Sequence, residues 1–263
     1  MRHLQRKPDD FLSTLAASAA DTVSSGYYLR VGERAGAHVS LSKAIRGSRA
    51  PLVCEVKFVS PAEGRLRPDS DVAQLARSYE SGGAAAISVI TEPKHFGGRL
   101  EYLPLVKRSV RVPVMMKDVV VDPIQVDAAA RLGADAVLLI AGIFHRGFAA
   151  HGVDEMTRLA HSSGLEVILE VHSGEEYAAA IKSDADIVGI NNRNLDTLEV
   201  SLETTREILS RYPHPKPVIS ESGLKRREDI ESLHNLGADA FLVGSALMKS
   251  QDASSTVRSL LGE

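Results

Sequence analysis

The sequence predicts an α/β chain folded as a (β/α)8 TIM barrel with an N-terminal helical extension. Three observations predict it: eight short apolar runs, a repeat at the even-numbered runs, and a second repeat along the odd-numbered ones. The runs are Leu52-Val-Cys-Glu-Val56, Ala86-Ile-Ser-Val-Ile90, Val114-Met-Met-Lys117, Ala136-Val-Leu-Leu-Ile140, Val167-Ile-Leu-Glu-Val171, Ile187-Val-Gly-Ile190, Val218-Ile-Ser-Glu221 and Phe241-Leu-Val-Gly244. Near-continuous apolar runs alternating with amphipathic helical stretches read as parallel strands buried on both faces. The units average about 27 residues, which suits an eightfold barrel.

At the even-numbered runs stand Gly83-Ala-Ala-Ala-Ile87, Gly133-Ala-Asp-Ala-Val137, Asp184-Ala-Asp-Ile-Val188 and Gly237-Ala-Asp-Ala-Phe241, at intervals of 50, 51 and 53 residues. Each interval is two βα units. Along the odd-numbered runs, Pro51-Leu-Val-Cys-Glu55, Pro113-Val-Met-Met-Lys117, Glu166-Val-Ile-Leu-Glu170 and Pro217-Val-Ile-Ser-Glu221 align without gaps. Repetition at a fixed period is a stronger fold signal than any single strand. A doubly wound open sheet is the alternative, but it rarely supplies eight units so evenly spaced. Residues 1–48 differ in character. They are rich in Ser, Ala and charged residues, with one helical stretch near Asp10–Ser24, and read as an extension to a barrel of residues 49–263, the whole being one domain.

Composition narrows the partners. A chain of 263 residues buries a large core without staples. Lys and Arg total 31 and Asp and Glu 34, so the net charge is −3. That balance argues against a nucleic-acid or anionic-membrane surface, but leaves room for a few cations around one phosphate. The lone Cys54 rules out an intrachain disulfide and a cysteine-built zinc site. The longest apolar stretch, 136–144, is far short of the roughly 18 residues a membrane span needs. Arg2, Arg6 and Lys7 ahead of Phe11 and Leu12 faintly resemble a secretory leader, but Asp9, Asp10, Ser13 and Thr14 interrupt it, and the expected location is cytoplasmic.

The odd-strand repeat ends in a charge every time: Glu55, Lys117, Glu170 and Glu221. Alternate strands of this barrel supply four side chains to one interior layer, so these four are expected to form a charged layer near the C-terminal mouth. Lys57, two residues past Glu55, shares its face one step nearer the mouth. Buried charges must be paired, and three carboxylates interleaved with two lysines pair one another. The same crowding shifts pKa values, as acid–base catalysis requires. The bland alternative is that each charge faces outward among the helices.

A phosphate signal comes later. The seventh run ends Ser220-Glu-Ser-Gly223 and the eighth Val243-Gly-Ser245, the two loops that often hold phosphate in such barrels. Glycines let backbone N–H groups approach an anion, and Ser222 and Ser245 add hydroxyls; the same residues also make ordinary turns and caps. In Gly189-Ile-Asn-Asn-Arg-Asn-Leu195, Asn191 would face the interior and Arg193 would reach an anion from the loop. Thr91-Glu-Pro-Lys-His-Phe-Gly-Gly98, with two glycines after an aromatic, suggests a mobile loop able to close over a ring, or a plain surface loop. His145, His151 and His172 show no metal-binding spacing, so no metal is expected. Cys54 alternates out of phase with Glu55 and is expected to pack outside the barrel rather than act as a nucleophile.

Seven stretches together resemble the indole-3-glycerol phosphate synthase family of tryptophan biosynthesis: Glu55-Val-Lys-Phe-Val-Ser-Pro-Ala-Glu-Gly64, Thr91–Gly98, Lys117-Asp-Val-Val-Val-Asp-Pro123, Glu170-Val-His172, Gly189–Leu195, Glu221-Ser-Gly223 and Gly244-Ser245. The resemblance runs from about Pro51 to the C-terminus and touches the ends of seven of the eight strands. It implies a carboxy-lyase that closes the pyrrole ring of 1-(2-carboxyphenylamino)-1-deoxyribulose 5-phosphate with loss of carbon dioxide and water, without cofactor or metal. It implies Lys117 and Glu170 as catalytic residues, with Glu55 and Lys57 as a further essential pair. By the same resemblance Lys57 and Asn191 hold the substrate carboxylate and hydroxyls, and Glu221 and Ser222 complete the polar wall. Phosphate would rest on Gly223, Gly244 and Ser245 near Arg193 and Lys57, and Ser60, Pro61 and Phe96 would pack against the aromatic ring. It further implies that residues 1–48 cap the barrel, and that the chain contacts other enzymes of the tryptophan pathway.

The chain departs from the family at three places. The family usually has a basic residue at Phe58, Ser-Lys at Ala62-Glu63 and Phe at Val119. Other readings stay open at this point. A sugar-phosphate isomerase of tryptophan or histidine biosynthesis would share the phosphate site, a Schiff-base aldolase would use Lys117, and a binding-only barrel would have kept the fold without the chemistry.

Overall fold

A computed structural model describes residues 10–29, 37–47, 50–68 and 70–263. Residues 1–9, which carry the leader reading, and the boundary at 48–49 lie outside the described residues.

Eight parallel strands close on themselves: β1 (Leu52–Val56), β2 (Ala86–Ile90), β3 (Val114–Lys117), β4 (Ala136–Ile140), β5 (Glu166–Val171), β6 (Ile187–Asn191), β7 (Val218–Glu221) and β8 (Ala240–Val243). Each lies on one of the apolar runs. The ends differ slightly, since β5 begins at Glu166, β6 continues to Asn191 and β8 spans Ala240–Val243. Leu52 of β1 pairs with Phe241 of β8, which closes the ring and removes the open-sheet alternative. Helices follow the strands: α3 (Val72–Ser81), α4 (Tyr102–Ser109), α5 (Pro123–Arg131), α6 (Ala141–His145) with α7 (Val153–Ser162), α8 (Gly174–Ala180), α9 (Glu203–Arg211), α10 (Arg227–His234), and α11 (Ser245–Lys249) with α12 (Ala253–Leu261). A short antiparallel hairpin, Val59–Ser60 with Gly64–Arg65, sits between β1 and α3.

Strand alternation divides the core in two. Cys54, Val56, Met116, Leu169 and Phe241 belong to the outer cluster, beneath the helices. Val53, Met115, Ile168 and Ile219 belong to the inner one. Each of these four precedes a charged residue by two positions, so an apolar layer lies under the charged layer. Cys54 is fully buried on the outside, where burial pushes its thiol pKa far up, and packing is its role.

The extension engages both ends of the barrel. Helix α1 (Phe11–Ser24) is capped by Asp10, which accepts from Ser13 N–H, and it buries Leu12, Leu15, Ala16 and Ala19 in the inner cluster. Its Phe11 and Leu15 line the cavity at the C-terminal mouth, and Arg146 in the loop after α6 donates to Asp10. Helix α2 (Leu41–Arg46) closes the opposite end with fully buried Leu41 and Ile45. Burying two such side chains contributes roughly 1.5–3 kcal/mol each. Glu166, at the start of β5, accepts from Ser40 Oγ, Ser42 Oγ and Ser42 N–H, and anchors this plug. Between the two helices, Tyr28 donates to buried Asp118 (3.0 Å) and Tyr27 donates to the Thr91 carbonyl. Burial pushes Asp118 up to about 6, although Thr91 and Tyr28 hydroxyls stabilise its charge. Among the described residues, no helix is long and apolar enough to cross a membrane.

Candidate active site

A cavity of about 650 Å³ opens at the C-terminal mouth. Every sequence-predicted site residue lines it except Glu221, which lies directly beneath as the partner of Lys117. The charged layer forms as expected. Lys117 Nζ lies 2.6 Å from Glu221 and 3.4 Å from Glu55, and Lys57 Nζ lies 2.8 Å from Glu55. Glu170 accepts from Asn191 Nδ2 at 3.1 Å, and His172 Nε2 is 3.3 Å away. Two glycines make room for these acids. A β-carbon at Gly189 would collide with the Glu221 carboxylate, and one at Gly244 would collide with that of Glu55.

Three carboxylates and two ammonium groups leave one negative charge uncompensated in a water-poor layer, and the titration shifts follow from that. Burial alone would lower the pKa of Lys117, but Glu221, Glu55 and Glu170 outweigh it, so Lys117 is held as the ammonium. Burial would also raise Glu55, yet Lys57 and Lys117 overcome it and hold the carboxylate ionised, down to about 2. Glu221 and Glu170 carry the imbalance. Burial raises both, against the pull of Lys117, and Glu221 reaches about 7. His172 is partly buried, and desolvation pushes its pKa down, which favours the neutral ring beside Glu170.

A group with a raised folded pKa stabilises the fold below its unfolded pKa, and that stability is lost as pH rises through the folded value. The Tm of the protein should therefore decline between roughly pH 4.5 and 7 as Glu221 ionises. Glu221→Gln should flatten that decline, raising Tm at pH 8 relative to wild type by roughly 3 °C or more. Parallel melting curves of the two proteins across this range would remove Glu221 as the source.

The loops after β7 and β8 rise beside Glu221 and Glu55 at the mouth. Ser222 and Gly223 both have positive φ, 67° and 82°, a turn that turns backbone toward the cavity. Asn192 Nδ2 donates to the Ser222 carbonyl and holds this turn in place. Gly244 leads into α11, and Lys57 Nζ lies beside it, so Lys57 stands between the charged layer and this glycine. Arg193 lines the cavity, but its Nη1 donates to the Leu198 carbonyl, so it braces its own loop as well.

Pro61, Ile90, Phe96, Val119 and Ile140 contribute apolar lining to the cavity, and Ser60 lines it beside Pro61. Phe58 is not part of it. It is buried in the outer cluster against Tyr102, with ring centroids 5.6 Å apart. In the structure the Thr91–Gly98 loop is folded against its own backbone. Glu92 is buried and its carboxylate accepts N–H bonds from Lys94, His95 and Phe96, while its carbonyl accepts from Gly98 N–H at 2.7 Å. Gly98 permits a close approach here, because a β-carbon at this position would strike the backbone of Ile90 and Thr91.

Three features escaped the sequence reading. Phe11 and Leu15 reach the cavity from α1, for which the Asp10 cap ahead of an apolar helix face was the available signal. Asp118 lines the cavity and ties β3 to the extension. Lys249, one turn beyond Ser245 on α11, pairs with Glu63. Among the described residues no group of His, Cys, Asp and Glu is arranged to hold a metal.

The family described as indole-3-glycerol phosphate synthase matches residues 21–260. A protein of that name from Methanopyrus kandleri is 46% identical over 87% of this chain and 89% of its own length. Another, from Azospirillum brasilense, is 38% identical over 88% and 87%. Among solved structures, a thiamine phosphate pyrophosphorylase from Pyrococcus furiosus superposes with a TM-score of 0.60 at 21% identity, covering 83% of this chain and 96% of that one. At that identity the likeness shows the barrel alone.

Proposed function

Because the chain belongs to the indole-3-glycerol phosphate synthase family, we propose that its charged layer closes the pyrrole ring with Lys117 as the first acid and Glu170 as the second. The enzyme is a carboxy-lyase of tryptophan biosynthesis that converts 1-(2-carboxyphenylamino)-1-deoxyribulose 5-phosphate to indole-3-glycerol phosphate, carbon dioxide and water. One observation carries the assignment of roles: an ammonium group held charged between two carboxylates at the floor of the cavity.

In this reading, the ring carbon that bears the carboxylate attacks the ribulose carbonyl carbon, and Lys117 gives its proton to the carbonyl oxygen. The bond to carbon dioxide breaks, and its electron pair restores the aromatic ring. Glu170, whose raised pKa favours the protonated form, then protonates the new hydroxyl, which leaves as water. Lys117, now neutral, takes the proton lost from the carbon beside nitrogen as the pyrrole double bond forms. Lys117 is thus restored within the cycle, and Glu170 regains one proton from solvent, the proton that loss of a carboxylate consumes. Asn191 orients Glu170, and Glu55 and Glu221 keep Lys117 charged and in place. Lys57, Gly223, Gly244, Ser245 and Arg193 hold the anionic ends of the substrate, with Ser222 in the polar wall and Ser60, Pro61 and Phe96 against the ring. Residues 1–48 cap the barrel as part of one domain, and the enzyme works in the cytoplasm in contact with other enzymes of its pathway. A Schiff-base aldolase is disfavoured by the same observation, since it needs Lys117 as the neutral amine.

The test is direct. Incubated with the carboxyphenylamino-deoxyribulose phosphate in EDTA, the protein should generate indole fluorescence, and Lys117→Ala should lose it. Undiminished fluorescence in that variant would remove Lys117 from the role of acid. Dependence on added metal would overturn the metal-free scheme.

A further inference from the structure

One carboxylate crosses the mouth to the loop after β8. The hairpin after β1 turns at Ser60–Glu63, with Glu63 N–H donating to the Ser60 carbonyl (3.2 Å), and this turn aims the Glu63 side chain at α11. Its Oε1 accepts from Ser245 Oγ at 3.0 Å, and its Oε2 pairs with Lys249 Nζ. Ser245 and Lys249 are four residues apart, so they share one face of the short helix. The Lys249 ammonium holds Glu63 below the ordinary carboxylate range, with the Ser245 hydroxyl assisting against partial burial. All three residues line the cavity.

We propose that Glu63 is a resident anion of the phosphate subsite: substrate phosphate enters by displacing the Glu63 carboxylate from Ser245 and Lys249, and Glu63 thereby sets the affinity of the subsite. The inference rests on the assignment of phosphate to Gly223, Gly244 and Ser245. A serine hydroxyl has one proton to donate, so Ser245 cannot serve the carboxylate and a phosphate oxygen together. Two anions sharing that corner would also repel, whereas exchange leaves nothing unpaired. Lys249 passes from one anion to the other, and Glu63, on an exposed turn, is received by water. The cost falls on affinity, because a subsite open for only a fraction of the time binds more weakly by that fraction.

Inorganic phosphate, titrated by calorimetry against the full chain, is the probe. Glu63→Gln removes the ion pair and should tighten phosphate about tenfold, as expected if the pair is closed about nine-tenths of the time. Glu63→Asp keeps the charge but shortens the arm, and should tighten phosphate as well. Unchanged affinity in both variants would overturn the proposal. So would tightening in Glu63→Gln with wild-type affinity in Glu63→Asp, since charge alone would then explain the effect. Ser245→Glu places a permanent acid in the subsite and should abolish binding. Wild-type phosphate affinity in that protein would defeat the subsite assignment itself, whereas abolished binding there, with neither Glu63 variant tighter, would defeat only the role of Glu63.

Discussion

Lys117→Ala will lower kcat by about two to four decades, the range that loss of a positioned general acid removes. The same change will lower Tm, because Lys117 is the shared partner of Glu55 and Glu221, and removing one member of a buried pair strands the others. Activity and stability are therefore confounded in the single variant. The double variant Lys117→Ala/Glu221→Gln separates them. Neutralising Glu221 relieves the stranded charge, so Tm should recover while kcat stays low. A double variant whose activity recovers along with its Tm would show that Lys117 acts through the fold and donates no proton.

Glu170→Gln will also cost about two to four decades in kcat, but its stability signature will be the opposite. Gln keeps an oxygen for Asn191 Nδ2 and removes a carboxylate that burial disfavours, so Tm at pH 8 should hold or rise. KM should change little, because Glu170 supplies a proton and not an anchor. With Glu170 as the second acid, kcat of the wild type should fall on the alkaline side, as the carboxyl loses its proton. In Glu170→Gln the residual rate should not follow that limb. Retained turnover in Glu170→Gln, or an identical pH profile, would reassign the second proton to another member of the layer.

The charged layer was legible in the sequence because two strict rules act on it. A strand alternates its faces every residue, and alternate strands of an eightfold barrel share a level, so four aligned final positions determine a ring. Glu55, Lys117, Glu170 and Glu221 needed nothing further. Glu63 and Lys249 obey no such rule. They meet across 186 positions of chain through a hairpin turn whose aim depends on tertiary packing. The segment after β2 shows local bonding that its composition does not spell out. Glycine content suggests freedom, but here Glu92 folds its carboxylate back onto the amides of its own loop, and Gly98 is small because the backbone passes close. Composition alone does not distinguish a glycine that permits motion from one that permits contact. The extension was legible as helix at Asp10–Ser24, where a cap and an apolar face coincide, but not as a segment reaching both ends of the barrel.

Gly189 and Gly244 carry no side chain, yet the space where each would carry a β-carbon is taken up by a carboxylate oxygen of the charged layer. A single methyl group at either position evicts a carboxylate from its seat as surely as mutating the acid. In a saturation-mutagenesis map of this chain, these two positions should therefore tolerate no substitution, alanine included, and should rank with Lys117 and Glu170, while an exposed glycine with open space and negative φ such as Gly152 accepts many. Inheritance of the activity thus depends on two residues that contribute only an absence of atoms, and a comparison scored by functional groups alone would overlook both.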